Sequence, residues 1–227
     1  MDKLTLLANQ LNCDKGTIKP NDGGYHGPRL GYTPFYNKCY KNKSDDIFNM
    51  FEMGIGAGAS MQLWTKYFPN CNLFAADIAD WSHLKNDRVT TFICDQSSKS
   101  SLYELKNNLP PLKIIIDDGS HIVRHQQITL GALFSLLEPE GHYWIEDLCT
   151  SDPIWQGKDL YGYSTTFEKG ESTVEILESY MRTGFFKSPF LTDMENAYLT
   201  SNIKYCQIMD LAPTDYGWTK LCLLTHK

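Results

Sequence analysis

The stretch IIIDDGSHIVRHQQ, residues 114–127, sets three β-branched apolar residues directly before two carboxylates, a glycine, a serine and a histidine. A short β-branched run that stops at a polar, glycine-containing cluster reads as a buried strand entering a turn. The same theme recurs in IFNMFEMG (47–54), CNLFAADI (71–78), VTTFICDQ (89–96) and HYWIEDL (142–148). Helices fill the gaps at 58–67, 98–108 and 122–137, the last one stopped by Pro139 and Gly141. This alternation predicts an α/β fold, a Rossmann-like doubly wound sheet that is mostly parallel. IKYCQIMDL (203–211) and KLCLLTHK (220–227), joined by the turn-rich PTDYGW, add an antiparallel C-terminal hairpin.

At 227 residues and 42% hydrophobic content, the chain is expected to form one domain over 1–227. Residues 46–227 make the core, with a variable insert near 149–200. Residues 1–45 are rich in Gly, Tyr, Asn and Lys, periodic only in a short helix at 2–11, and form an N-terminal lid or cap segment. Residues 149–170 are irregular in the same way, whereas 171–184 read as helix. A net charge of −6 without any Lys/Arg block excludes a nucleic-acid surface. The first ten residues lack the apolar stretch of a secretory signal, and no run of about 18 apolar residues occurs, so a cytoplasmic protein with no membrane partner is expected. Seven cysteines without a C-x-x-C pair read as reduced thiols, several of them small buried hydrophobes.

In an open parallel sheet, ligands bind beyond the carboxyl ends of the strands. Here those ends carry Glu52 and Gly54, Asp77, Asp95, Asp117 and Asp118, and Glu146 and Asp147. Any one of these acids is an ordinary helix cap or solvated turn; five strand tips together mark a site. The turn EMGIGAGAS (52–60) allows close backbone approach and leads into a helix with free N–H groups, which suits NAD as well as other nucleosides. Asp77 can accept the hydroxyls of a ribose, and Asp95 serves either an adenine or the cap of the next helix. Asp118, Glu146 and Asp147 repel one another unless they share a cation or a proton. A hard divalent ion, magnesium before calcium, satisfies them; capping by one acid and solvation of the others is the alternative. His121 has the chemistry to accept a hydroxyl proton near neutral pH, or is a polar surface residue; His125 reads as surface or supporting.

FEMGIGAGASMQLWTKYFPNCNLFAADI (51–78), IIIDDGSH (114–121) and GHYWIEDLCTS (141–151) together resemble the metal-dependent S-adenosylmethionine O-methyltransferases of macrolide-sugar tailoring. This macrocin and mycinamicin type is similar in turn to the cephalosporin hydroxylase-like group. The likeness covers roughly 12–150, including CDKGTIKPNDGGYHGPRLGYTPFY (13–36), which resembles the family's N-terminal T-D-K segment. The resemblance implies a class I methyltransferase fold and S-adenosyl-L-methionine as cofactor, held by Glu52, Gly54, Gly56, Ser60, Asp77 and Asp95, with Asp117 grouped beside them. It implies magnesium or another divalent cation on Asp118, Glu146 and Asp147, with His121 as general base. The acceptor is then a small polar molecule, a sugar or glycoconjugate, and a homo-oligomer is allowed. Tyr32, Tyr36 and His26 either close over the cofactor as a lid or pack a short helix, and Trp155, Tyr161 and Tyr163 either line the acceptor pocket or pack. Cys13 stands where many members have Thr, and the chain beyond Thr150 does not align, which leaves the acceptor pocket undefined. Other readings are the same fold acting on a non-sugar molecule or on a phosphorus-oxygen group of a surface polysaccharide, a nicotinamide-dependent oxidoreductase, and a non-catalytic nucleoside-binding module.

Overall fold

The computed structural model describes residues 1–18, 30–160, 163–164, 166–214 and 217–227. Five strands run parallel: β1 (Asn49–Met53), β2 (Asn72–Asp77), β3 (Val89–Ile93), β4 (Leu112–Asp117) and β5 (Leu137–Ile145). A two-residue antiparallel pair, β6 (Asp159–Leu160) and β7 (Tyr163–Ser164), lies apart from them. The hairpin β8 (Ile203–Thr214) and β9 (Gly217–His226) completes a seven-stranded sheet ordered β3-β2-β1-β4-β5-β9-β8, with β9 antiparallel to β5. Strand order therefore reverses between β1 and β4, and such a switch point opens a crevice at the carboxyl edge.

Register explains why the acids meet. Met53 pairs with Asp117 and Asp117 with Ile145, so the tips of β1, β4 and β5 are level. The ladder continues one residue further, through Asp118 N–H to the Met53 carbonyl (2.9 Å) and Glu146 N–H to the Asp117 carbonyl (3.0 Å). Gly54, Asp118 and Glu146 consequently begin the crevice side by side.

Ile114, Ile115 and Ile116 are all buried because β4 is covered on both faces, as a parallel strand requires. Ile114 and Ile116 face the layer of α1 (Lys3–Gln10), α2 (Thr33–Tyr40) and α3 (Ala59–Tyr67), packed through Leu4, Tyr36 and Trp64. Ile115 faces α4 (Lys99–Asn107), α5 (Val123–Leu133), α6 (Thr173–Thr183) and α7 (Asp193–Asn202), packed through Leu105, Ile128, Leu177 and Leu199. Each such isoleucine stabilises the fold by roughly 1.5–3 kcal/mol.

Three expectations change. The helix expected over 122–137 ends at Leu133, and Pro139 and Gly141 lie inside β5 instead of after a helix. The pairing there jumps from Leu112–Leu137 to Ile114–His142 and Glu140 has φ 59°, so the Pro–Glu–Gly run makes a strand bulge, where proline is tolerated. Helix α2 forms within the segment expected to be irregular, with Pro34 in its first turn. Helix α7 was not expected either, although Thr192 and Glu195 form a capping box at its start.

Candidate functional site

A cavity of about 1010 Å³ lies beyond the carboxyl ends of the parallel strands. Gly54, Gly56 and Ser60 form its floor, with Asp77, Asp95 and Asp118 along the strand tips. Gly54 has φ 91°, and a Cβ there would lie 2.0 Å from the Asp118 carbonyl oxygen. Only glycine lets β1 turn away so close to β4. Asp77 tightens the same turn: its Oδ2 accepts the N–H groups of Ile55 (2.8 Å) and Gly56 (3.4 Å). Asp95 accepts the Ser97 N–H at 2.9 Å, and hydrogen bonds from Ser97 hold its carboxyl below the usual range. It is thus a local turn residue and a wall residue at once.

At the β4 and β5 tips, Asp118, His121 and Asp147 each turn one donor atom inward, and these atoms lie within 4.8 Å of one another. His121 Nε2 is 3.5 Å from Asp147 Oδ2 and 3.9 Å from Asp118 Oδ1. His121 and Asp147 both have left-handed backbone, at φ 57° and 48°. The Thr150 hydroxyl donates to the His121 carbonyl at 2.7 Å, with the Asp147 carbonyl also in reach at 3.1 Å. The Tyr32 hydroxyl donates to Asp147 Oδ1 (2.8 Å) and accepts the Asp147 N–H (3.0 Å), leaving Oδ2 toward the histidine.

Glu146 is not in that group. It is fully buried and outside the cavity wall. Its Oε2 accepts from Lys15 Nζ at 2.6 Å and its Oε1 from the Tyr36 hydroxyl. Lys15 also contacts Asp118 Oδ2 and lies 3.4 Å from Glu52 Oε1. Burial pushes the Glu146 and Asp118 carboxyls upward, against the pull of Lys15. Burial works against the Lys15 ammonium, but Asp118, Glu146 and Glu52 outweigh it and push its pKa well above the usual lysine value.

Two of the expected cofactor residues lie behind the wall rather than on it. Glu52 is fully buried; its Oε2 accepts the Trp64 indole N–H at 2.9 Å, and burial raises its carboxyl to about 7. Asp117 is buried and raised to about 7 for the same reason; its Oδ1 accepts from Gln96 Nε2 at 2.7 Å. Gln96 Oε1 in turn accepts the Ser120 N–H at 2.8 Å, tying the β3 tip to the β4 tip.

Tyr32 and Tyr36 follow the packing alternative: Tyr36 lies on the short helix α2 and Tyr32 caps it, both are fully buried in the core, and their hydroxyls bind the acids from behind. His26 and Tyr161 lie outside the described residues, as does the side chain of Tyr163, and Trp155 is half-buried in a short 3₁₀ turn. His125 lines the cavity, with Nδ1 2.8 Å from Ser120 Oγ. Lys15, Gln96 and Thr150 carry no sequence signal of their own; Lys15 is legible only as part of the T-D-K segment.

The switch point, the glycine turn and the antiparallel β9–β8 edge place this chain in the α/β methyltransferase fold class. MycE methyltransferase from the mycinamycin biosynthetic pathway, solved in complex with Mg and SAH, has the same fold, with a TM-score of 0.73 at 21% identity over 99% of this chain and 55% of that one. Demethylmacrocin O-methyltransferase of Streptomyces fradiae is 35% identical over 164 residues, 67% of this chain and 41% of its own length. Mycinamicin VI 2''-O-methyltransferase of Micromonospora griseorubida is 32% identical over 172 residues, 67% of this chain and 43% of its own length. Over the region they share, the chain belongs to this macrocin and mycinamicin type of O-methyltransferase. It spans less than half the length of these relatives. No protein-family model matches it.

Proposed function

We propose that the protein transfers the methyl group of S-adenosyl-L-methionine to a hydroxyl of a small polar acceptor, a sugar or glycoconjugate, with the help of a divalent cation. The observation that carries this reading is the meeting of Asp118, His121 and Asp147 donor atoms within 4.8 Å at the rim of a glycine-floored cavity. At about 1010 Å³ the cavity reaches the upper end of the roughly 300–1,000 Å³ typical of single-ligand pockets, which suits a cofactor and an acceptor side by side.

The residues fit both groups. Gly54, Gly56 and Ser60 would bring backbone against the cofactor, Asp77 and Asp95 would meet its nucleoside, and Glu52 and Asp117 would support them from behind. Asp118 and Asp147 offer hard oxygens to a cation, magnesium first, while Glu146 acts from behind through Lys15. When bound, S-adenosylmethionine supplies an electrophilic methyl carbon on sulfur, and the ion supplies a Lewis-acid contact for the acceptor oxygen. His121 Nε2 would accept the proton of the acceptor hydroxyl as its oxygen takes the methyl group from the sulfonium sulfur, which leaves as the thioether. Asp147, 3.5 Å away, stabilises the imidazolium that results. Thr150 and Tyr32 hold this pair in place, so the protein contributes mainly alignment and proton transfer. A cytoplasmic setting is part of the reading and is supported by seven free cysteines.

The test is calorimetry with S-adenosylhomocysteine and with NAD, followed by methyl-transfer assays on a panel of glycosides with magnesium or with EDTA. Binding of S-adenosylhomocysteine and magnesium-dependent methylation of a sugar hydroxyl is the expected result. Preference for NAD would overturn the cofactor assignment, and full activity in EDTA would overturn the cation.

A further inference from the structure

Strand β8 ends the sheet: among the described residues it pairs with β9 alone, and its outer side offers a row of backbone N–H and C=O groups. From Tyr205 to Leu211 the ladder to β9 is regular and contains no proline, glycine or bulge. Such breaks are what usually protect an edge, and a long regular edge is a template for another strand. The side chains along it are accessible, with Lys204, Tyr205, Gln207 and Asp210 exposed and Cys206, Ile208 and Met209 half-buried. The segment KYCQIMD (204–210) also complements itself. Turned end for end about Gln207, it sets Lys204 against Asp210, Tyr205 against Met209 and Cys206 against Ile208, with Gln207 against its own copy. Opposite charges, and an aromatic ring beside a thioether, are favourable cross-strand pairs. Cys206 and Ile208 both pack on the α4–α7 side of the sheet, so that pair meets on one face.

We propose that the outer edge of β8 docks a second copy of this chain: two β8 strands pair antiparallel along 204–210 about Gln207 and join two seven-stranded sheets into one. The two-fold axis then runs normal to the sheet, so the two crevices point in opposite directions and both stay open. Lys204 and Asp210 select the register, because a slip of two residues, which keeps the faces, separates both charge pairs. Each charge has a partner on its own chain, Glu140 for Lys204 and Lys220 for Asp210. Lys204 and Asp210 nevertheless keep 52% and 62% of their side-chain surface open, and exposed pairs of this kind contribute little. So short a strand pair falls below the roughly 1,200–2,000 Å² of a stable interface, which makes the dimer a reversible one.

The test is sedimentation equilibrium of the whole chain over a concentration series. Wild type should move toward twice the chain's mass as concentration rises. Lys204→Glu and Asp210→Lys should each weaken the dimer by about tenfold, because each puts like charges face to face at two places. The double variant Lys204→Glu/Asp210→Lys exchanges the charges and should return to within about threefold of wild type. It breaks both intrachain pairs, so only pairing between copies predicts that recovery. Gln207→Cys, made together with Cys206→Ser, reads the register. At the axis the two thiols face each other and should give up their hydrogens to glutathione disulfide, forming an intermolecular disulfide and two reduced glutathiones. Tyr205→Cys on the same Cys206→Ser background lies too far from its own copy to be bridged and should run as a monomer on the same non-reducing gel. A chain that stays monomeric throughout, its edge left to some other occupant, overturns the proposal. So does a dimer indifferent to both charge reversals, or a cross-link as strong at 205 as at 207. Should a charge variant lose its native circular dichroism, the contrast between the two cysteine variants decides alone.

Discussion

His121 Nε2 stands 3.5 Å from Asp147 Oδ2, and both residues hold a left-handed backbone that non-glycine residues rarely adopt. Each such residue costs on the order of 1–3 kcal/mol and persists only where its surroundings over-determine it. Here the determinants are visible: Thr150 Oγ1 on the His121 carbonyl and Tyr32 on both ends of Asp147. Strain at this facing pair, on the rim of the cavity beyond the strand tips, is what a pre-set proton acceptor and its partner require.

His121→Ala should therefore lower methyl transfer by about 10²–10⁴-fold, the usual contribution of a positioned base. Magnesium and S-adenosylhomocysteine should still bind, and raising the pH should recover part of the rate as hydroxide replaces the imidazole. Rate measurements across pH with parallel calorimetry check this; a variant that loses metal binding instead would make His121 a ligand.

Asp118→Ala and Glu146→Ala should both abolish magnesium-dependent turnover with cofactor affinity nearly intact, since the glycine turn and Asp77 belong to β1 and β2. The two variants should differ in stability. Both remove one acid from the Lys15 ammonium, but Asp118 retains partial access to solvent, whereas Glu146→Ala also leaves the buried Tyr36 hydroxyl without its acceptor. Breaking a buried pair on one side costs about 3–5 kcal/mol. Melting curves of the two proteins should separate by roughly 10 °C for a chain of this size.

The features legible in the sequence were those carried at a strand tip: the five parallel strands and the candidate residues Asp118, His121 and Asp147 follow from apolar runs ending in acids, and the hairpin from two apolar runs around a turn, whereas the order of the strands in the sheet does not. What the pattern could not convey was depth. Glu52 and Asp117 precede the turn by one or two positions, and the pleat sends their carboxylates into the interior, where Trp64 and Gln96 receive them. Lys15, Tyr32 and Tyr36 belong to a segment without periodicity, more than 100 positions from Glu146 and Asp147, and only the folded chain brings them behind the acids. The same limit applies to Thr150, whose role is to fix backbone rather than to touch a ligand.

Gly54→Ala and Gly56→Ala test the crevice floor by contrast. At Gly54 an added Cβ meets backbone at 2.0 Å in addition to a positive φ, whereas at Gly56, φ 53°, nothing lies within 4 Å. Overpacking adds about 1–3 kcal/mol to a left-handed penalty of about 1–2 kcal/mol. Gly54→Ala should thus lose roughly 6–12 °C of melting temperature and Gly56→Ala roughly 2–6 °C. Equal losses would mean that the β1 and β4 tips can separate freely, contrary to the level register of Met53 and Asp117.

Stability should also depend on pH through His142, far from the acids of the crevice. Burial pushes its imidazole down to about 4, with Lys43 and Lys113 adding to the effect and Glu140 opposing it. The Trp144 indole donates to the Tyr40 oxygen at 2.7 Å, which directs the Tyr40 hydroxyl hydrogen to His142 Nδ1 at 2.8 Å and favours the neutral ring. An unfolded chain takes up this proton near pH 6.5, the folded chain only near 4, so the unfolded state binds more protons between those values. Stability is accordingly full above about pH 6.5 and falls as the pH drops toward 4, by about 3 kcal/mol at most from this group. His142→Gln, which can still accept from Tyr40, should remove that component. Thermal melts at pH 4.5 and 7.5 should show wild type losing roughly 5–10 °C more than the variant; parallel pH profiles would assign the acid sensitivity to other groups.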